Sequence, residues 1–117
     1  HGPKAIVNDK TLVFVYLSNA AFTRKYDIEL LEELQRDNEV GQLISVSAQH
    51  ANTFKPNESV LINGCEEIDD IFIMLPFIAS AQMFALFYSL AVNNTPDNPS
   101  ASGTINRVVQ GVHIHNL

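Results

Sequence analysis

The chain has 117 residues, of which 46% are hydrophobic and only 17% charged. That length fits one small domain with a real core but not two, and the apolar excess implies surface that something else covers, either further chain or another subunit. Seven basic against 13 acidic residues give a net charge of −6, which argues against nucleic acid as a partner, because that binding is driven by clustered Lys and Arg.

The chain opens on His1-Gly2-Pro3 rather than on Met. Taken alone, this tripeptide is either a vector-derived remnant or a piece of a longer gene product. Thr11 to Ser18 (TLVFVYLS) is a continuous apolar run rich in β-branched and aromatic residues. Without period-two alternation it predicts a strand buried on both faces of a parallel sheet. Phe22 to Asn38 has apolar residues at Tyr26, Leu30, Leu31 and Leu34, a helical spacing with acidic residues between. Gly41 ends the connection and Leu43 to Ala48 predicts a second strand, so the order is that of a right-handed parallel crossover unit. Ser59 to Asn63 predicts a short third strand after the Lys55-Pro56-Asn57 loop.

Asp69 and Asp70 stand where acidic residues favour the start of a helix. Ile71 to Val92 is then apolar almost throughout, long enough to raise a transmembrane reading. Its flanks speak against one: no Lys or Arg anchors it, and Glu66, Glu67, Asp69 and Asp70 abut one end. A core or interface helix is expected, with Pro76 in its first turns, where a helix tolerates proline best. Turn-rich Thr95 to Gly103 and a strand-like Ile105 to Ile114 complete the chain.

Parallel α/β sheets bind ligands beyond the carboxyl ends of their strands. Those ends are Ser18-Asn19, Ser47 to His50 and Asn63-Gly64-Cys65, which supply hydroxyls, amides and one imidazole. Such a set suits a polyhydroxylated ligand. No Gly-rich nucleotide loop follows a strand. His113-x-His115 has a spacing that can bind metal, but no Cys, Asp or Glu lies near it in sequence, so outward polar alternation explains it and no metal site is expected. Cys65, the single cysteine, forbids an internal disulfide and reads as an inert buried thiol in a reducing, cytoplasmic compartment. Glu66 to Asp70 reads as a charged lead-in to the helix.

The opening HGPKAIVND, the strand TLVFVYLSN, the helix YDIELLEEL, the helix LPFIASAQMFALFYSLAV and the tail TPDNPSASGTINRVVQGV occur together and in this order. In that company the chain resembles the sugar isomerase (SIS) superfamily, and more closely the C-terminal part of the tagatose-6-phosphate ketose/aldose isomerase family, whose members are also regarded as galactosamine-6-phosphate deaminases. The resemblance implies a flavodoxin-like α/β parallel sheet with flanking helices, present only as the later part of a domain. Residues 1–94 would be the C-terminal part of a second SIS domain and residues 95–117 the C-terminal tail. The missing N-terminal part of the same protein would cover the apolar excess.

By the same resemblance His1 is the catalytic histidine that opens the sugar ring, a proton shuttle for which an imidazole is suited. In related synthases this histidine reaches into the partner subunit's site. The base that moves the proton between C1 and C2, a glutamate in those relatives, and the Ser/Thr loops that hold the phosphate would lie upstream. Where the synthases carry an imine-forming lysine in the tail, this chain has Arg107 beside Asn106. Arginine stays protonated and forms imines poorly, so these two are expected to contact substrate phosphate or hydroxyls. The implied protein is a cytoplasmic homo-oligomer acting on a phosphosugar, without cofactor, metal, nucleic acid or membrane. The alternative is a non-catalytic SIS module that senses phosphosugars in a regulator.

Overall fold

The computed structural model describes residues 2–50, 58–100, 102–104, 111, 113 and 115. A 3-10 turn over Gly2–Ile6 is followed by β1 (Leu12–Tyr16), α1 (Ala21–Asp37), β2 (Gln42–Ser47), β3 (Ser59–Leu61) and α2 (Asp70–Ala91). The predicted strands and helices to residue 92 therefore all form, with ends moved by at most two residues. The strand expected over Ile105 to Ile114 lies outside the described residues apart from Gly111 and His113, neither of which is in a strand.

The described sheet has the order β1-β2-β3 with both pairs parallel. Its register sets Val13 against Leu43 and Val15 against Ser45. A parallel pair needs a crossover, and α1 supplies it between β1 and β2. Alternation along β1 sends Val13, Val15 and Leu17 to one face, where Leu31 and Leu34 of α1 meet them and Val40 and Leu43 close the margin. Leu17 and Leu31 are fully enclosed, at 0% and 1% exposure. On the other face Tyr16 meets Phe77 of α2, ring centroids 5.1 Å apart, and Ile73 is buried. The three layers follow from the two residue parities of β1. Both faces of β1 are covered, one by α1 and the other by the start of α2, as its apolar run suggested, but β1 is the edge of the described sheet. It has β2 as its one described neighbour, and Leu12, Val13, Phe14 and Tyr16 remain half-buried.

α1 ends because Asn38 takes the left-handed conformation (φ 52°) and returns its N–H to the Leu34 carbonyl, a stop that Asn tolerates better than other side-chain-bearing residues. Gly41 then enters β2 beneath the turn that precedes β1. A Cβ on Gly41 would lie 2.1 Å from the Asp9 carbonyl oxygen, so only glycine fits. Asn8 holds that turn, its side-chain oxygen accepting from the Lys10 N–H and the Thr11 hydroxyl, and its carbonyl accepting from the Gly41 N–H.

α2 begins at a side-chain cap: Asp69 Oδ1 accepts from the Ile71 N–H at 3.1 Å. The helix continues through Pro76, which lies in its second turn, beyond the first-turn positions where proline's missing N–H costs nothing. α2 is long and apolar enough to cross a membrane by length and composition alone.

The chain divides into two compact units, one running to Phe77 and one starting at Ile78. In the second unit Phe84 stacks on Tyr88, Asn93 takes a left-handed turn (φ 58°), and Asn94 returns its N–H to the Ser89 carbonyl to close the helix. The hydroxyls of Ser100, Ser102 and Thr104 then form a short chain at 2.9 and 2.8 Å.

Candidate functional site at the carboxyl edge of the sheet

The ends of β1 and β2 and the start of α2 border an open cavity of about 330 Å³, within the size range of small-ligand sites. Asn19 and Ala20 follow β1, Gln49 follows β2, and residues 66–70 form the remaining wall. The strand ends are fixed by side chains rather than by further ladder. Arg24, in the first turn of α1, turns back and donates from Nη1 to the Ser18 carbonyl (2.9 Å) and the Ser47 hydroxyl (3.0 Å), and from Nη2 to the Gln49 carbonyl (3.2 Å). Partial burial lowers the pKa of this guanidinium, and the nearby Asp27 carboxylate opposes that shift. Asp27 also accepts from the Ser18 N–H at 2.8 Å.

The third wall is attached through Asp70 and Asn19. Asp70 Oδ1 accepts from the Asn19 N–H at 2.6 Å, and both its oxygens lie 3.3 Å from the Ala20 N–H. Ala20 cannot cap α1 with a side chain, so the Asp70 carboxylate stands where the helix dipole favours an anion. In return Asn19 Nδ2 donates to the carbonyls of Cys65 and Ile68, each at 2.8 Å. Asn19 Oδ1 is buried and has no hydrogen-bond partner among the described residues. Gln49 Nε2 spans the cavity's back, donating to the carbonyls of Asn19 (3.4 Å) and Glu66 (3.1 Å). Gly64, at φ 82°, makes the turn into this wall, and its N–H donates to Glu66 Oε1 and holds that carboxyl below the usual range.

The lining holds four acidic residues, Glu66, Glu67, Asp69 and Asp70, beside the amide residues Asn19 and Gln49, with no Lys, Arg or His among the lining residues. Such walls suit hydroxyl or ammonium donors and repel a phosphate dianion.

Of the residues the strand ends nominated, Asn19 and Gln49 do line the cavity. Ser18 and Ser47 are committed to the Arg24 and Asp27 contacts, and His50 is exposed outside the lining. Cys65 contributes its backbone carbonyl and is half-buried rather than buried. Glu66 to Asp70 does lead into the helix, and it also forms the acidic wall. His1, Asn106 and Arg107 lie outside the described residues. Arg24 and the backward reach of Asp70 were missed; the signal available was a cation in the first turn of a helix, where the dipole disfavours it.

A parallel sheet with helices on both faces and a polar cavity beyond its strand ends defines an α/β ligand-binding architecture. No family model matches the chain. It is 45% identical over 115 residues to the D-galactosamine-6-phosphate deaminase AgaS of Escherichia coli, across 98% of this chain and 30% of the relative. To the protein of the same name from Shewanella sp. (strain ANA-3) it is 35% identical, across 98% of this chain and 27% of the relative. The solved structure of tagatose-6-phosphate ketose/aldose isomerase from Escherichia coli matches with a TM-score of 0.77 at 37% identity, over 95% of this chain and 29% of that one. A Clostridium novyi NT structure that carries the same name provisionally matches with a TM-score of 0.82 at 36% identity, over all of this chain and 31% of its own. The chain therefore spans about 30% of the length of the curated relatives it matches, and the similarity runs over essentially all of this chain.

Proposed function

We propose that the chain works as the C-terminal part of a phosphosugar isomerase or deaminase, acting on an amino-sugar or ketose phosphate. The observation that carries this is the 45% identity, across 98% of the chain, to a D-galactosamine-6-phosphate deaminase. Residues 1–94 then complete a second SIS domain and residues 95–117 form its tail. His1 moves a proton from the anomeric hydroxyl to the ring oxygen, which breaks the ring C–O bond and frees the carbonyl. A base on the preceding part of the polypeptide shifts a proton between C1 and C2. Deamination adds water at the carbon bearing nitrogen and expels ammonia. Asn106 and Arg107 contact the phosphate or hydroxyls of the substrate.

The exposed apolar side chains of α2 support the need for the rest of the polypeptide: Leu75, Phe87 and Phe72 are 69%, 67% and 64% exposed, more than a stable free surface carries. Further chain and a second subunit cover them in this reading, and the protein is a cytoplasmic homo-oligomer, not a membrane protein. Purification of the full-length protein as a soluble oligomer without detergent is expected; a requirement for detergent would remove that part.

Ammonia release from galactosamine 6-phosphate, set beside ketose formation from tagatose 6-phosphate's aldose partner, tests the activity and separates deaminase from isomerase. His1→Ala should slow turnover of ring-closed substrate far more than it weakens phosphosugar binding. Binding without any turnover by the full-length protein would instead establish a sensing module. The 117-residue chain alone should show no turnover, since the expected base and phosphate loops are not in it.

A further inference from the structure

We propose that Asn63-Gly64 is a site of spontaneous deamidation, and that the Glu66 carboxylate guards it by holding the Gly64 N–H. Asn63-Gly64 is the one Asn-Gly pair in the chain, a pair that favours turns. Beyond β3 the Ile62 N–H still donates to the Ser47 carbonyl at 2.9 Å, and Asn63 then enters a turn in which Gly64 takes φ 82°. Gly64 has no Cβ to hinder attack by its own nitrogen. In the reaction that nitrogen bonds to the Asn63 Cγ and closes a succinimide ring. Its proton passes through water to the side-chain nitrogen, the Cγ–Nδ2 bond breaks, and ammonia leaves. Water then opens the ring at either carbonyl and leaves an aspartyl or an isoaspartyl residue at position 63.

The nitrogen must give up its proton to attack, and in the folded turn that proton is engaged: the Gly64 N–H donates to Glu66 Oε1 at 3.0 Å. A negative charge so close disfavours further negative charge on the nitrogen. Glu66 does not serve as the base instead. The Gly64 N–H, and next its own backbone N–H, hold the Glu66 carboxyl below the usual range, which makes it too weak a base for an amide proton. The donor and acceptor are two residues apart, so the contact does not depend on what the rest of the polypeptide covers. Conversion would add a charge beside Glu66 and Glu67. The isoaspartyl form would also lengthen the main chain by one carbon just before Cys65, whose carbonyl holds the Asn19 side chain. The guard therefore preserves the acidic wall of the cavity.

The test incubates the full-length protein, native and Glu66→Ala, at neutral and mildly alkaline pH, folded and again in denaturing urea. Peptide mass mapping and isoaspartate detection follow position 63, with Asn8 as an internal standard for general loosening and Asn63→Gln as the blank. Folded Glu66→Ala should convert about fivefold faster than the native protein, the scale of one hydrogen bond lost, and the two should convert equally in urea. Because Glu66 stays ionised over this range, the ratio should hold at both pH values. Equal folded-state rates overturn the guard, and faster conversion of the native protein would make Glu66 the base. A ratio that persists in urea, or a matching acceleration at Asn8, overturns it too, since the folded turn would then not be the cause. Conversion in urea but in neither folded form overturns the site itself.

Discussion

At its amino end α1 carries Arg24 and Lys25, and in its last turns Glu33 and Asp37 beside Arg36, so that apart from Arg36 these charges are the reverse of what the helix dipole favours. The two ends accommodate this by different means. Arg24 folds back into a half-buried position and spends its planar fork on two carbonyls and a hydroxyl at the strand ends. The acids at the other end stay near the surface and share one ammonium delivered by the preceding turn. At one end a half-buried guanidinium donates to neutral acceptors, and at the other the charges stand near the surface and are screened by water. The amino end should therefore govern stability and cavity shape, and the carboxyl end the placement of a segment.

The sharpest disturbance of the carboxyl end is steric rather than ionic. Gly41→Ala sets a methyl 2.1 Å from the Asp9 carbonyl oxygen and 2.7 Å from its carbon, both backbone atoms that no rotamer change can move. A loss of about 3 kcal/mol is expected in denaturant unfolding of the full-length protein; a loss below the error of the method would show that the Asp9 turn yields. Arg24→Ala comes next. It strips the cation from the Ser18 and Gln49 carbonyls and the Ser47 hydroxyl, for about 2 kcal/mol, and Arg24→Lys should recover less than half, because a single ammonium cannot span a fork's three acceptors. Full recovery by Lys would mean that charge rather than geometry matters at the amino end, and the contrast between the two ends would collapse.

Much of this was legible in the sequence, because strands and helices announce themselves by local pattern: TLVFVYLS and the Tyr26, Leu30, Leu31, Leu34 spacing placed β1 and α1 to within two residues. What failed was whatever depends on distant partners. The apolar run of β1 announced two covered faces but not that, among the described residues, β2 is its one neighbouring strand. Asn19 and Gln49 were found because they follow strands. Asp70, which reaches back 51 residues to the Asn19 N–H, looked like an ordinary helix-start acid. Lys4 escaped notice for the same reason, its partners lying 29 and more residues on. The misplaced charges of α1 were the clue to both ends.

The smallest expected effect separates the two ends by pH. The Lys4 ammonium, as donor, holds the Asp37 carboxyl below its ordinary value, and Asp37 first, then Glu33, raises Lys4 above its own. A depressed carboxyl stabilises the fold above its unfolded value and loses that contribution as pH falls through the folded one. A raised lysine stabilises below its unfolded value and loses the contribution as pH rises through the folded one. The contact is thus complete across the neutral range and fades at both extremes. Arg24 behaves otherwise: burial lowers its pKa, but a guanidinium stays protonated throughout any working range, so its contribution carries no slope. Unfolding measured against pH in low salt should show shallow losses at both acid and alkaline ends that shrink in Lys4→Ala and in high salt. In Arg24→Ala the whole curve should drop without changing shape. Identical curve shapes for the native protein and Lys4→Ala would mean that the two carboxylates do not hold the ammonium in solution, and that the Asn38 cap and the Gly41 approach hold the carboxyl end of α1 without it.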